Sequence, residues 1–318
     1  MAQIREIKKR IKSIQNTKKV THAMELVAAA KMRKAQASAL SGRPYSLTLN
    51  QIIEEVRQKT DETTHTLLKK KLASKQLIIL ITSDRGLAGG LNINLFREIH
   101  RQSGDQATRS SGDIKNQYLT ARKPDSPKTQ FITVCKKAVN FAAKSGEEII
   151  ASFASEEKSP LDLARTLSKM ATDSFINSQT NKVSILYPHF QSTTNQTPKW
   201  VQILPIELNG LSGDREIRPS GQSRPDNLTT RQPDNLLFEP NAKKILNDIL
   251  PHYVQTQIYQ VLLEAKASEH SARMVAMKNA TDAAGDLIDD LTLTYNQARQ
   301  EAITKELLDI ITAQKAFG

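Results

Sequence analysis

The sequence predicts an α/β protein of two unlike parts: a long antiparallel coiled coil made from its two ends, and a central α/β domain. Three observations carry this. Residues 2–41 contain no Gly and no Pro, and residues 252–317 contain one Gly (Gly285) and no Pro. Between these ends, short apolar runs alternate with helix-like periodicity, the pattern of a mostly parallel sheet with packed helices. Aromatic residues are only 5% of the 318-residue chain, and aromatics supply the largest buried areas, so an extended molecule is expected rather than one compact core.

The first helix is expected over about residues 3–57. Ile4, Ile7, Ile11 and Ile14 follow 3-4-3 coiled-coil spacing. Val20, Met24, Val27 and Lys31 continue the hydrophobic pattern in an offset register, read as a slip of the seam. Small residues then dominate (Ala28, Ala29, Ala30, Ala35, Ala37, Ala39), which allows close approach of a partner helix. Gly42, Pro44 and Tyr45 mark an expected bend. In the last helix, Val254, Ile258, Val261, Ala265, Ser268, Ala272, Val275 and Asn279 step by fours and threes and read as its coiled-coil face. Ala283, Leu287, Leu291, Tyr295, Ala298 and Ala302 are spaced mostly by four, so a loose wrap is expected there. Pro240 and Pro251 precede helical runs, with Pro251 either a first-turn residue or a kink. At 1.5 Å rise per residue the last helix spans roughly 100 Å and the first roughly 80 Å. Joined through one body, the two helices run antiparallel, and the longer C-terminal one overhangs.

In the central segment, Gln76–Ser83, Phe131–Cys135, Ile149–Phe153, Val183–Tyr187 and Trp200–Ile206 read as strands. Asn94–Gln102, Lys136–Lys144 and Pro160–Ile176 read as helices. The order suggests a Rossmann-like domain. Domain boundaries are expected at 1–58 (N-terminal helix), 70–209 (α/β domain, with a polar insert near 103–128), 210–238 (polar linker) and 239–318 (C-terminal helix). Both polar stretches are too poor in apolar residues to order themselves.

No run of apolar residues is long enough for a transmembrane helix, and the first residues lack a signal peptide's apolar stretch. The single cysteine, Cys135, excludes an intrachain disulfide and reads as a small buried hydrophobe. The net charge of +12 is uneven. Residues 1–35 hold ten basic residues against only Glu6 and Glu25, a stripe that attracts nucleic acid, an anionic membrane or an acidic protein surface.

Chemistry-bearing motifs are sparse. Ser83-Asp84-Arg85-Gly86-Leu87-Ala88-Gly89-Gly90-Leu91-Asn92 joins a strand to a helix as a phosphate loop does. It is neither a G-x-G-x-x-G nor a P-loop, and it lacks a following ribose-binding acid. A glycine turn packing helix on strand is the favoured reading, with Asp84, Arg85, Gly86, Gly89 and Gly90 as its structural residues. The six histidines are dispersed with no metal-ligand spacing, and His22 and His270 are expected on solvated helix faces. No cofactor is expected. Met274 and Met277 are expected to pack on the first helix, with Met24 and Met32 as counterparts. Arg299, Gln300, Thr304 and Glu306 form a polar cluster on the overhang. Leu307, Leu308, Ile310, Ile311 and Phe317 beyond it are too apolar for an exposed helix end, which argues for an enclosing partner.

Together, residues 11–36, 83–96, 253–282 and 287–307 resemble the gamma subunit of the F-type ATP synthase, in its bacterial form. The resemblance implies a non-catalytic rotor in the central stalk of a proton-translocating synthase. Its coiled coil would insert into a hexamer of alternating alpha and beta subunits. Its body would bind the epsilon subunit and the ring of membrane c subunits, on the cytoplasmic face of the bacterial cell membrane as a peripheral protein. It further implies that Arg299, Gln300, Thr304 and Glu306 contact the catalytic ring. Met24, with Lys31, Arg33 and Lys34 continuing its basic face, would meet the acidic lever segments of the beta subunits. Ala88 replaces a cysteine common in the family, the redox cysteine pair of chloroplast members is absent, and the 103–128 insert is unusual. Two alternatives stay open on the residues alone: a basic coiled-coil nucleic-acid binder, which lacks the expected aromatics, and a nucleotide-dependent enzyme with helical arms.

Overall fold

The computed structural model describes residues 2–58, 65–69, 71, 75–102, 128–154, 159–206 and 242–317; the insert and the linker expected at 103–128 and 210–238 lie outside them, save for Lys128. Helix α1 (Ala2–Gln58) and helix α5 (Ala242–Phe317) run antiparallel along each other. Their 57 and 76 residues correspond to about 85 and 115 Å. Helix α1 matches its expected span, continuing through Pro44, and α5 is longer than the run from 252 because it continues through Pro251. Packing along the partner outweighs the one hydrogen bond each proline removes. Tyr45 and His252, each next to one of these prolines, meet across the pair at 2.6 Å (Oη to Nε2).

Between the shaft helices lie β1 (Lys75–Ile81), α2 (Leu91–Gln102), β2 (Lys128–Val134), α3 (Lys136–Lys144), β3 (Glu148–Phe153), α4 (Pro160–Ile176), β4 (Lys182–Phe190) and β5 (Gln196–Leu204). They form one sheet in the order β3-β2-β1-β4-β5. The first four strands are parallel, and β5 returns antiparallel on β4. Strand β1 is buried on both faces, so its sequence is a continuous apolar run rather than an alternating one. Ile78 and Leu80 face a cluster with Leu95, Ile99, Phe131, Ala138 and Phe141, beneath α2 and α3. Leu77, Ile79 and Ile81 face the larger core, shared with α4 and with Val254, Ile258, Val261 and Ala265 of α5. Helix α4 starts with Ser159 accepting from Asp162 N and with Pro160 in its first turn. At its end, Lys71 Nζ donates to the carbonyl of Ile176 at 2.9 Å, a cation at the negative end of the helix dipole.

The seam between the shaft helices differs from the expected one. Along α1 one line of sheltered positions runs through Ile4, Ile7, Ile11, Ile14, Thr21, Glu25, Ala28, Met32, Ala35, Ala39, Gly42, Ser46, Leu49, Ile53 and Val56, flanked by half-buried Ala29, Gln36, Ser38, Asn50 and Ile52. The line keeps to one heptad, and there is no slip. Val20, Met24 and Val27 are 54, 41 and 55% exposed. Apolar residues had drawn the expected seam outward, whereas the real one passes through small and polar residues. On α5 the stripe Val254, Ile258, Val261 and Ala265 lies in the core of the body, which also takes in Leu49, Ile53 and Val56 of α1, and Ala272 packs on Ala88 and Leu91. The distal seam runs Thr281, Ala284, Ile288, Leu291, Tyr295, Ala298, Ala302, again by threes and fours. Ala283 and Leu287 point outward, so the expected loose wrap is a regular heptad. Met32 and Met277 are buried as expected for the seam, but Met24 is not.

Candidate functional site: the shaft surface and its junction with the body

The turn after β1 is built by its own side chains. Asn92 Oδ1 accepts from Ser83 N at 3.1 Å, Asn92 Nδ2 donates to Ser83 Oγ at 2.8 Å, and Ser83 Oγ donates to Arg85 O at 2.9 Å. Gly89 sits at φ +57, where a side chain would be strained, and its Cβ position faces Ala276 of α5 at 4.0 Å. Leu87 also holds a left-handed φ of 64 and is 60% exposed. Ala88, Leu91 and Ala272 pack together, so a small residue at position 88 lets the turn seat on α5. Arg273 Nη2 reaches Arg85 O at 3.4 Å while pairing with Glu269 at 2.8 Å.

A doubly wound sheet binds ligands at the carboxyl ends of its strands where the strand order reverses, here between β1 and β4. In this chain α5 lies across those ends. It is held to the β1 side by Ala272 and Arg273, and to the β4 side by Glu264. Tyr187 Oη donates to Glu264 Oε2 at 3.0 Å, and His189 Nδ1 forms a close ion pair with Glu264 Oε1. Above them the tip of the β4–β5 hairpin is fastened by Ser271 Oγ donating to Thr193 O at 2.7 Å. The N-terminus of α3, an anion-binding end in nucleotide folds, faces Asp84 instead, whose Oδ1 accepts from Lys136 N at 3.3 Å. Asp84, Arg85, Gly86, Gly89 and Gly90 thus lie in a turn whose polar groups serve packing.

His270 corrects the expectation of a solvated face. It is half-buried, and burial, reinforced by the positive charges of Arg273, Lys31 and Lys266, pushes its pKa down to about 4. Burial raises the Glu269 carboxyl above its ordinary range, against the pull of Arg273. Cys135 is buried at the β2–α3 junction, as expected. Glu264, His189, Ser271 and Gln260 escaped the sequence reading. A lone charged residue within the apolar stripe of α5 was the one available signal, at Glu264.

The expected contact residues fall into two bands. Met24, Lys31, Arg33 and Lys34 are exposed on α1. Thr281 donates to Thr21 at 2.8 Å, and in that register Met24 lies level with Lys278, close to the turn seated at Ala276. Arg299, Gln300, Thr304 and Glu306 are exposed on α5, about 30 Å nearer the tip. Beyond Ala302, α5 outruns the start of α1. Ile303, Leu307, Leu308, Ile310 and Ile311 are 46, 54, 55, 63 and 51% exposed there.

A two-helix shaft clamped across the ligand crevice of an α/β body, with apolar and basic surface left along its length, defines a protein that works by contact with partners. The comparisons specify which. The ATP synthase family model matches residues 3–317. The ATP synthase gamma chain of Opitutus terrae is 37% identical, covering 99% of both chains, and that of Moorella thermoacetica is 34% identical, covering 100% of both. The same fold occurs in the Euglena gracilis mitochondrial ATP synthase (OSCP/F1/c-ring), with a TM-score of 0.61 at 19% identity over 99% of this chain and 95% of that one. It also occurs in the central stalk and c-ring structure from Tetrahymena thermophila, with a TM-score of 0.54 at 20% identity over 82% of this chain and 99% of that one. The chain belongs to the ATP synthase gamma-chain family. Among the described residues, no helix is long and apolar enough to cross a membrane.

Proposed function

We propose that this chain is the rotor of a proton-translocating synthase. Its two shaft bands face the ring of alpha and beta subunits, and its body is bound by epsilon and the c-subunit ring at the cytoplasmic face of a bacterial membrane. The observation that carries this is the overhanging tip. Five large aliphatic residues between 303 and 311 are 46–63% exposed on a single unaccompanied helix. Such a surface calls for an enclosing partner.

The physical work of such a rotor is differential contact. A partner biases conformational states only by interacting unequally with them. The shaft meets that need because its sides differ. At the Met24 level, one side carries exposed Val20, Met24 and Val27, and another carries the turn with Leu87. Rotation would bring these unlike surfaces to each beta subunit in turn. Arg299, Gln300, Thr304 and Glu306 would supply hydrogen bonds and charge at the upper band, and Lys31, Arg33 and Lys34 would attract acidic levers at the lower one.

Replacing Arg299→Ala and Gln300→Leu, singly and together, and Leu308→Asp with Ile311→Asp, tests this in the assembled synthase. Exposed ion pairs contribute only about 0–1 kcal/mol each, so the single polar variants are expected to be mild and the combined ones to impair coupled synthesis or assembly. The isolated chain should keep its stability within about 0.5 kcal/mol, as substitutions on a free surface do. Wild-type assembly and synthesis in every variant would sink the proposal.

A further inference from the structure

The seam of the shaft carries two polar contacts that share one geometry. Gln260 Nε2 donates to the backbone carbonyl of Ala39 at 3.0 Å, and its Oε1 lies 3.0 Å from where a Cβ on Gly42 would stand. A side chain at position 42 would crowd this amide, which glycine leaves in place. Twenty-one residues along α5 is Thr281; twenty-one back along α1 from Gly42 is Thr21. Thr281 is 9% exposed, and its hydroxyl lies 2.8 Å from both Thr21 Oγ1 across the seam and the Met277 carbonyl one turn back, while Thr21 Oγ1 donates to Lys18 O at 3.0 Å. One turn on, the stem of Lys18 crosses Gly285, its Nζ 2.9 Å from that residue's Cβ position. The two contacts therefore occupy the same heptad position, three heptads and about 31 Å apart, and each pairs a polar side chain of α5 with a notch in α1.

Between them the seam carries Glu25 and His270 as its polar members, and the rest is apolar. The same register sets Ala35 opposite Ala267 and Ala28 opposite Met274, small apolar layers that a slide of one heptad would largely re-form. The keyed layers would not re-form. A slide of one heptad sets Gln260 against Ala35 and Thr281 against Ile14, or Gln260 against Leu49 and Thr281 against Ala28. It strands the desolvated Gln260 amide and costs Thr281 its partner across the seam, leaving its hydroxyl the Met277 carbonyl alone. Polar residues at single seam positions fix register in coiled coils at a cost in stability. The body restrains α1 only at its C-terminal end, where Leu49, Ile53 and Val56 enter the core; along the rest of its length α1 is held mainly through α5.

We infer that Gln260 and Thr281, with Gly42 and Thr21 as their receivers, are register keys that hold α1 against axial sliding on α5. They are positioning residues: they fix the height and phase of the Met24 band relative to the Arg299 band. Their consequence for coupling rests on the rotor reading above; the keying itself does not.

The test places nitroxide labels at Lys19→Cys and Asp282→Cys, both exposed, in a Cys135→Ala background, and measures interlabel distances by pulsed EPR. The triple variant Thr21→Val, Thr281→Val, Gln260→Leu keeps side-chain volume and removes the polar groups. It is expected to show a second, longer distance population, with an unfolding midpoint equal to or above that of the parent. The labels lie level across helices about 10 Å apart, so a slide of one heptad, about 10 Å along the axis, lengthens their separation by about 4 Å. Thr21→Ser with Thr281→Ser restores hydroxyls and should keep one population. A single undisplaced distance in the folded triple variant overturns the keys, as does a displaced one in the serine variant. Should the triple variant unfold, Thr281→Val alone is measured against the same criterion. In the assembled synthase, proton pumping per ATP hydrolysed should fall at least twofold in the triple variant and not in the serine variant. Displaced distances with undiminished pumping would uphold the keys and count against the rotor reading.

Discussion

His270 shows how one side chain carries a pH dependence. Unfolded, it binds a proton near its ordinary value of 6.5; folded, only near 4, because it is desolvated and faces Arg273, Lys31 and Lys266. Its neutral form is the one the fold accommodates. The stability it contributes is therefore full above about pH 6.5 and is lost as the pH falls through that window towards 4. Glu269 acts in the opposite sense, since burial favours its protonated form. The difference between parent and His270→Gln isolates the histidine: urea midpoints measured from pH 7.5 to 4.5 should fall less steeply in the variant. Parallel curves would show that His270 does not couple folding to protons. The sequence placed this histidine on an exposed face because helical periodicity on α5 gives no sign that two separate elements cover it.

At the scale of the element, the seam was half legible. Isoleucine spacing at the start of α1 predicted the heptad correctly. Between Ile14 and Ala28 the apolar residues Val20, Met24, Leu26 and Val27 lie outside the seam, and Thr21 and Glu25 lie within it. A pattern reader follows hydrophobicity, but a shaft whose outer surface is itself a contact surface breaks the rule that apolar means inward. Two substitutions one residue apart check the corrected seam. Ala28, 2% exposed, has no room for added volume, so Ala28→Leu should cost about 1–3 kcal/mol through overpacking. Val27, 55% exposed, should tolerate Val27→Asn within about 0.5 kcal/mol in the isolated chain. Chemical denaturation of both measures the contrast, and equal losses would restore the slipped seam.

For the whole molecule, the junction between body and shaft decides whether force passes from one to the other. Glu264 is its least replaceable polar member, because one carboxylate serves both Tyr187 and His189 of β4. Glu264→Ala removes the acceptor that both share, in a site where the His189 and Glu264 side chains are about one-fifth exposed (20% and 18%). A loss of about 1–3 kcal/mol is expected from the hydrogen bond and ion pair removed. Trp200, the sole tryptophan, reports on the body alone, whereas circular dichroism is dominated by the shaft. In the variant the two signals should separate during urea unfolding. Coincident transitions at the parent's midpoint would show that the junction is held by apolar packing instead.

The sequence by itself determined the two unbroken helices, their antiparallel run, the overhang and the order of strands and helices in the body. These follow from local rules: helix breakers are absent where the helices run, and apolar periods change where the elements change. It also carried the family, in long ordered motifs. Only the tertiary structure decided which faces of those helices meet. The stripe Val254, Ile258, Val261 and Ala265 of α5 turned out to lie in the core of the body, and the crevice where such a sheet binds ligands turned out to be crossed by α5. Both depend on contacts between residues far apart in the chain. A helix with two apolar sides does not declare, in its own sequence, which side belongs to which neighbour.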